Sequence, residues 1–482
     1  MAPSSSRTSF LSHTLSGVTA SLRDKLIGLA SGPAIAIARP VVLGMLSSIK
    51  IGTLILVDEH YHERHVFGQP PELLDPRRGE PTVTLTITAP RFYPRLLLFA
   101  DMGFAQSYLL HDATCSDLTA FFRLFILNRA HLNNGSTLLS SSWLLVTTKA
   151  WRRTMNTVEN ALLNASAHYD LGNDLFAAFL SADMTYSCPI WAPLRRSSCV
   201  SKSVNTSGEQ NGIEEQTLEE AQIRKLRRII TAARIKGTDH VLEIGTGYGS
   251  LAIEAVKTTG CRVTTVTLSR EQKAWADERV LREGLADRIE VLLLDYRAIP
   301  PVLEGYDKIV SVEMVEAVGK EFLGTYFGVV HRLLKREGGI AVVQCITMPE
   351  GRQAAYEARE DFINRYIFPG GYLPSVVQLV NHIATESNGT LIVESVENVG
   401  GHYARALRLW RENFLTNFDA RIRYALLRKH PKMDDREIEV VRRKWEYYFS
   451  YCEAGFLTKT LGDVIITVAR EGAMELMEGI PL

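Results

Sequence analysis

The sequence predicts an α/β fold: a Rossmann-like sheet of seven strands in residues 217–482, preceded by a small α+β domain. Three observations carry this expectation. Val241–Gly249 (Val-Leu-Glu-Ile-Gly-Thr-Gly-Tyr-Gly) is a short apolar strand running into a glycine-rich turn, and Leu251–Lys257 opens a helix directly after it. Further short apolar runs follow, most of them separated by stretches of helical periodicity, the βαβ signature of a parallel sheet. Two late runs, Leu391–Val396 and Asp463–Ala469, bring the strand count to seven.

Residues 1–50 are rich in Ser and Ala and carry Arg7, Arg23, Lys25, Arg39 and Lys50 against a single acid, Asp24. That composition suits a mitochondrial-type transit peptide, a membrane-surface amphipathic segment, or a disordered tail with a docked apolar end. Leu26–Ile49 is apolar, but Pro33, Arg39 and Pro40 interrupt it as a membrane span. Residues 51–150 form the small domain. Gly52–Val57 and Thr82–Thr88 read as strands, the second alternating threonine with apolar residues at period two. Arg91–Phe99 is basic and strongly apolar, which would suit a lipid surface or an ordinary core, and Asp117–Asn128 reads as an amphipathic helix.

Residues 151–194 hold two polar and aromatic clusters, His168–Phe176 and Met184–Trp191, expected to cover a ligand. Residues 195–216 read as a flexible insertion, being Ser/Asn/Gly/Glu-rich and without periodicity. Thr217–Ala233 is a helix leading into the first strand. Cys261–Val266, Arg288–Leu294, Tyr306–Val312 and Gly338–Ile346 are the next four strands. Residues 347–390 and 401–460 are left to build a helical substrate cover.

Composition narrows the function. Lys+Arg and Asp+Glu balance at 54 each, so no global field favours nucleic acid. The six cysteines (115, 188, 199, 261, 345, 452) form no C-x-x-C, which argues against a zinc ribbon or a disulfide framework and favours a reducing compartment. The G-x-G-x-G spacing differs from the dinucleotide fingerprint, and no Walker lysine follows it. Glu243-x-Gly-x-Gly-x-Gly249 resembles motif I of S-adenosylmethionine-dependent methyltransferases, the alternative being a glycine-rich turn of some other α/β protein.

The resemblance becomes specific in seven ordered motifs. His168–Asp174, Tyr186-Ser-Cys188, Glu243–Gly249, Thr267–Gln272, Glu313–Gly319, Phe368-Pro-Gly-Gly371 and Gly401-His-Tyr403 occur in the order found in the cyclopropane-fatty-acid synthase family. The likeness is strong over roughly residues 160–470. Asp101-Met-Gly-Phe and Gln106-Ser-Tyr-Leu resemble the family's N-terminal lipid-binding domain weakly. The resemblance implies a class I methyltransferase sheet and S-adenosylmethionine as cofactor. It implies methylene transfer to the cis double bond of an unsaturated phospholipid acyl chain. A methyl group would add to the alkene, leaving a carbocation, and loss of a proton from that methyl would close a cyclopropane. The protein must then supply alignment, a dry pocket, ring faces that tolerate positive charge, and a base. A bound bicarbonate ion is the base the resemblance implies.

Residue by residue, the resemblance assigns Tyr186, Ser187, Glu243, Gly245, Thr246, Gly247 and Gly249 to the cofactor. Thr267, Ser269 and Gln272 fall near the ribose, and Asp295 and Tyr296 where adenine contacts are expected. Cys188, Glu316, Gln344, Ile346 and Tyr403 match the bicarbonate site, with Glu316 the first choice for catalysis. Cys452 matches a cysteine assigned in the family to the active site, or is a packed helix cysteine. Trp410, Phe414, Trp445 and Phe449 fall at helical spacing, as an acyl-channel lining or as plain core. Gln344, and Ala317 after Glu316, depart from the bacterial pattern of histidines and resemble eukaryotic members.

The expected partner is an unsaturated phospholipid in a membrane, with no nucleic acid, no metal, and a homodimer as one form of assembly. The expected location is cytoplasmic and peripheral to membranes, with mitochondrial targeting the alternative offered by residues 1–50. The rival activities are C-methylation of a sphingolipid or another alkene, N-methylation of a small amine, and silent lipid binding on the same scaffold.

Overall fold

The computed structural model describes residues 32–70, 72, 79–132, 172–193 and 216–481. The chain divides into two compact units, Met1–Ala165 and Ser166–Leu482. The expected insertion at 195–216, except Gln216, and the motif residues His168–Leu171 lie outside the described residues, as do residues 1–31.

In the first unit, residues 32–46 are helical (α1), and the helix runs on through Arg39 and Pro40. Ile35, Ala38, Val42 and Leu46 recur every three or four residues and are buried. Arg39 is accommodated by ion pairs to Asp58 at 3.4 Å and Glu63 at 2.6 Å. No helix among the described residues is long and apolar enough to cross a membrane.

The unit continues as β1 (Thr53–Asp58), β2 (Glu63–Gly68), β3 (Thr82–Ile87), α2 (Phe92–Leu109), β4 (Ala113–Cys115) and α3 (Leu118–Leu132), with strand order β2-β1-β3-β4. Strands β2 and β4 were not foreseen: the first is an exposed Glu-Arg-His-Val-Phe-Gly edge and the second is three residues long, too little for a periodic signal. The alternation in β3 turns Val83, Leu85 and Ile87 inward. The basic apolar stretch 91–99 is core at its start, because α2 buries Phe92, Tyr93 and Arg95, and Arg95 pairs with buried Asp112.

The second unit opens with α4 (Gly172–Phe179) and α5 (Leu218–Ala232), the latter started by a Thr217–Glu220 capping box. The sheet follows: β5 (His240–Ile244), α6 (Ser250–Thr259), β6 (Arg262–Thr267), α7 (Arg270–Arg282), β7 (Ile289–Leu293), β8 (Lys308–Val312), α8 (Leu323–Leu333) and β9 (Ile340–Thr347). Next come α9 (Glu350–Glu357), α10 (Phe362–Tyr366), α11 (Val376–Glu386), β10 (Ile392–Asn398), α12 (Tyr403–Thr416), α13 (Arg423–Lys429), α14 (Asp435–Leu457) and β11 (Gly462–Ala469). All seven expected strands are present, in the order β10-β11-β9-β8-β5-β6-β7.

One expectation is corrected: the sheet is mixed. Strands β5 to β9 pair in parallel, but β11 runs antiparallel to both β9 and β10. The long α14 returns the chain to the C-terminal end of β9, where Gly462 pairs with Thr347 and Asp463 with Ile346. The first residues of β11 therefore lie at the sheet edge where the parallel strands end. Every residue of β11 is buried, so the strand reads as a continuous run rather than an alternating one. The core between sheet and helices includes Leu242, Ile244, Ile309, Ala341, Val343 and Ile466. Each buried Leu, Ile or Val among them contributes about 1.5–3 kcal/mol by leaving water. Strand order reverses between β5 and β8, and open α/β sheets hold ligands at the carboxyl ends of strands at such a point.

Candidate active site

At that point lies a cavity of about 460 Å³. Its floor is the turn after β5. Gly245 sits at φ +104° and Gly249 at φ +83°, and a Cβ on Gly245 would stand 3.2 Å from the Met314 side chain. Glycine is what allows the backbone to turn beneath the cavity here. Glu243 faces the cavity from the last turn of β5, and its Oε2 is buried with no hydrogen-bond partner among the described residues. Burial pushes its carboxyl up to about 8. An orphaned buried oxygen beside a glycine cradle fits a ligand that brings hydroxyl or amino donors.

The opposite wall comes from residues 184–187. Lys225 on α5 donates from Nζ to Ser187 Oγ at 2.6 Å, and Gln222 Nε2 donates to the Ser187 carbonyl at 2.7 Å. The Tyr186 hydroxyl meets that of Tyr448 at 2.7 Å. Arg279 on α7 ties this wall to the floor, donating to the carbonyls of Asp183 and Tyr248 at 3.0 and 2.7 Å.

Of the expected cofactor residues, Tyr186, Ser187, Glu243, Gly245, Thr246, Gly247, Thr267, Ser269, Gln272 and Tyr296 line the cavity. Thr267 donates to Gln272 Oε1 at 2.8 Å, and Ser269 Oγ caps α7, so part of this segment's polarity holds its own turn. The Tyr296 hydroxyl is buried and unpartnered among the described residues. Gly249 sits behind the loop against Ala276, and Asp295 is turned to Arg297, bonded at 2.7 and 2.8 Å. Neither of these two forms part of the cavity wall.

A cluster of carboxyls, Asp463 buried and Glu313 and Glu316 half-buried, closes the end of the sheet. Glu313 follows β8 with φ +48°, a left-handed conformation that side chains adopt at some cost and that persists where surroundings impose it. Its Oε1 accepts from the Cys188 backbone N–H at 2.7 Å and from Gln344 Nε2 at 3.1 Å. Its Oε2 accepts from the Tyr403 hydroxyl at 2.8 Å. Gln344 Nε2 also donates to Asp463 Oδ2 at 2.8 Å. Glu316, in a turn of 3₁₀ helix, accepts the Ile346 N–H at 2.5 Å, and its other oxygen is buried and unpartnered. Glu313 lines the cavity; Glu316 does not.

Burial raises Glu313, Glu316 and Asp463 above the ordinary carboxylate range, and their mutual repulsion raises Glu316 and Asp463 further. Glu316 is pushed up to about 8. Three hydrogen bonds and the charge of Lys225 pull Glu313 back toward ionisation. The thiol of Cys188 is fully buried and pushed well up, so its backbone N–H, not its sulfur, serves the site.

These contacts test the bicarbonate expectation. Cys188 N–H, Ile346 N–H and the Tyr403 hydroxyl have one hydrogen each, and the Gln344 amide has two. The structure directs all of them onto Glu313, Glu316 and Asp463. A bicarbonate ion would meet three carboxyls and no free donor among these four residues. The arrangement does not fit it.

Trp410, Phe414, Trp445 and Phe449 are buried between α4, α12 and α14, with Phe414, Trp445 and Phe449 packed on one another and Trp410 against Tyr186 at 5.1 Å between ring centres. Cys452 lies half-buried on α14 and forms no part of the cavity wall. Sequence reasoning passed over Glu313, Asp463 and Lys225. The available signal for Glu313 was an acid directly after an apolar parallel strand, where ligands bind in such sheets.

Residues 156–465 match the family model described as mycolic acid cyclopropane synthetase. Tuberculostearic acid methyltransferase UfaA1 of Mycobacterium tuberculosis (strain H37Rv) is 36% identical over 373 residues, 77% of this chain and 79% of that one. Cyclopropane-fatty-acyl-phospholipid synthase of Escherichia coli (strain K12) is 32% identical over 385 residues, 80% of this chain and 87% of that one. Among solved structures, the cyclopropane synthase MmaA2 from Mycobacterium tuberculosis shares the fold with a TM-score of 0.51 at 24% identity, covering 63% of this chain and 96% of that chain.

Proposed function

This chain belongs to the mycolic acid cyclopropane synthetase family, and we propose that it transfers a methylene group to the cis double bond of an unsaturated phospholipid acyl chain, giving a cyclopropane. It is an S-adenosylmethionine-dependent methyltransferase with lipid-modifying relatives. The observation that carries the finer reading is the polarity of the cavity: a glycine cradle with orphaned acceptors at one end, and a carboxylate among aromatic rings at the other.

S-adenosylmethionine supplies an electrophilic methyl group when bound. Gly245 and Gly247 let the backbone approach it, Glu243 and Tyr296 offer unpartnered polar atoms, and Ser187 is held ready by Lys225. The rings of Tyr186 and Tyr403 flank Trp410 at 5.1 and 5.7 Å, and such π faces tolerate the positive charge that develops on an attacked alkene. Burial of these groups excludes water, which would otherwise capture the cation. A membrane lipid as substrate puts the enzyme at a membrane surface.

A second reading is methyl branching, favoured by the relative named as a tuberculostearic acid methyltransferase. Mass spectrometry of liposomes of a mono-unsaturated phospholipid, incubated with purified enzyme and S-adenosylmethionine, separates the two. A gain of one CH2 that resists hydrogenation establishes the ring. A product that takes up hydrogen or already carries it establishes the branch. Bound cofactor with no change in the lipid overturns both.

A further inference from the structure

Three of the four donors matched to an external anion converge on Glu313, and the fourth, the Ile346 N–H, goes to Glu316. The two oxygens of Glu313 take the Cys188 N–H, the Gln344 amide and the Tyr403 hydroxyl at 2.7, 3.1 and 2.8 Å. It lines the cavity, and its backbone is held in a left-handed conformation to do so. We infer that Glu313 is the base of the reaction, a carboxylate built into the chain where an exchangeable bicarbonate would otherwise sit.

This inference rests on the cyclopropanation reading. In the step assigned to it, a C–H bond of the transferred methyl breaks and its proton forms an O–H bond with Glu313. The electron pair of that C–H bond forms the third carbon–carbon bond of the ring at the cationic carbon. The cation is neutralised, the carboxylate becomes a carboxylic acid, and no further reactant enters.

A free carboxylate would be a poor choice, because it could capture the cation as an ester. The three hydrogen bonds answer this: they come from three separate elements and prevent the side chain from swinging toward the substrate. They also favour the ionised form in a pocket where burial opposes it. Lys225 supplies the nearby positive charge, Asp463 also favours the ionised form of Glu313, and the charge of Glu313 in turn raises Asp463 and Glu316, the other carboxyls of the cluster. Glu316 is then a positioning residue. It fixes the Ile346 N–H, and its carbonyl accepts the Tyr372 N–H at 2.9 Å from the Phe-Pro-Gly-Gly segment.

The test pairs direct ion binding with turnover. Binding of 13C-labelled bicarbonate is followed by NMR for the wild type, Glu313→Gln and Glu313→Gly. Lipid conversion is measured in buffer stripped of carbon dioxide and again with bicarbonate added. The wild type should bind no bicarbonate and convert lipid equally with or without it. Glu313→Gln should bind S-adenosylmethionine as the wild type does, yet lose turnover by about a hundredfold or more, the scale of a general base. Glu313→Gly relieves the backbone, frees the donors, and should bind bicarbonate and recover turnover only when the ion is present. Bicarbonate bound by the wild type, or required for its turnover, overturns the inference, as does full activity of Glu313→Gln. A wild type that converts no lipid counts against the proposed reaction instead, and the binding arm still decides whether Glu313 fills the anion position.

Discussion

Tyr403, at the start of α12, donates its hydroxyl to Glu313 at the end of β8 over 2.8 Å, joining the helical cover to the sheet through one partly buried bond. A hydrogen bond to a charged group contributes about 1.5–3 kcal/mol. Tyr403→Phe removes a donor that favours the ionised carboxylate. The pKa of Glu313 should therefore rise, against the remaining influence of Cys188 N–H, Gln344, Lys225, Asp463 and Glu316. The acid limb of the pH–turnover profile is expected to move up, with turnover on that limb reduced and cofactor affinity unchanged. An unmoved acid limb in the kinetic profile would show that this bond does not set the base.

Stability should fall as pH rises above the carboxylate range. Glu316 goes from an ordinary 4.5 to about 8 on folding, so the folded protein holds a proton that the unfolded chain has released. Its contribution is complete below about pH 4.5 and lost as pH rises through about 8. Glu243 follows the same course in the ligand-free protein. Thermal melts between pH 6 and pH 9 should show a declining midpoint, and Glu316→Gln, which needs no proton, should flatten the decline. A wild-type midpoint that climbs over this range would contradict the assignment.

Two glycines of similar φ should respond differently to alanine. Gly245, at φ +104°, would place a Cβ 3.2 Å from Met314 within the cavity turn, whereas Gly260, at φ +78°, caps α6 with nothing within 4 Å. Gly245→Ala should weaken S-adenosylmethionine binding tenfold or more in a calorimetric titration. Gly260→Ala should lower stability by about 1 kcal/mol and leave that affinity alone. Equal losses of affinity would remove the special role of the turn.

Cys452→Ala should keep turnover within about threefold, with lipid conversion as the readout. Desolvation, aided by the charge of Asp361, pushes the thiol well above its ordinary range. The thiolate form needed for nucleophilic chemistry is thereby disfavoured. A loss of a hundredfold would return Cys452 to the active site.

Much of this architecture follows from local pattern. A glycine run after Val-Leu-Glu-Ile can only be a turn, since three closely spaced glycines end a strand and admit positive φ. Threonine alternating with Val83, Leu85 and Ile87 specifies a half-buried strand. The strands that escaped notice, β2 and β4, are polar at an edge or too short to show a period. The direction of β11 escaped as well, because direction depends on where α14 delivers the chain, and no residue of β11 encodes it.

Local pattern along the chain specifies the seven strands, the glycine turn, and a set of motif residues whose order resembles one enzyme family. Tertiary packing alone settles which of those residues meet. It joined Cys188, Glu313, Gln344, Tyr403 and Asp463, drawn from five separate segments, around one carboxylate. It also left Glu316 off the cavity wall and bonded Asp295 to Arg297. The physical reason is that hydrogen-bond donors and the cost of burying charge are properties of a place rather than of a residue. An acid three positions before Glu316 looks like any other acid until the ends of β8 and β9, the start of β11 and the head of α12 close around it.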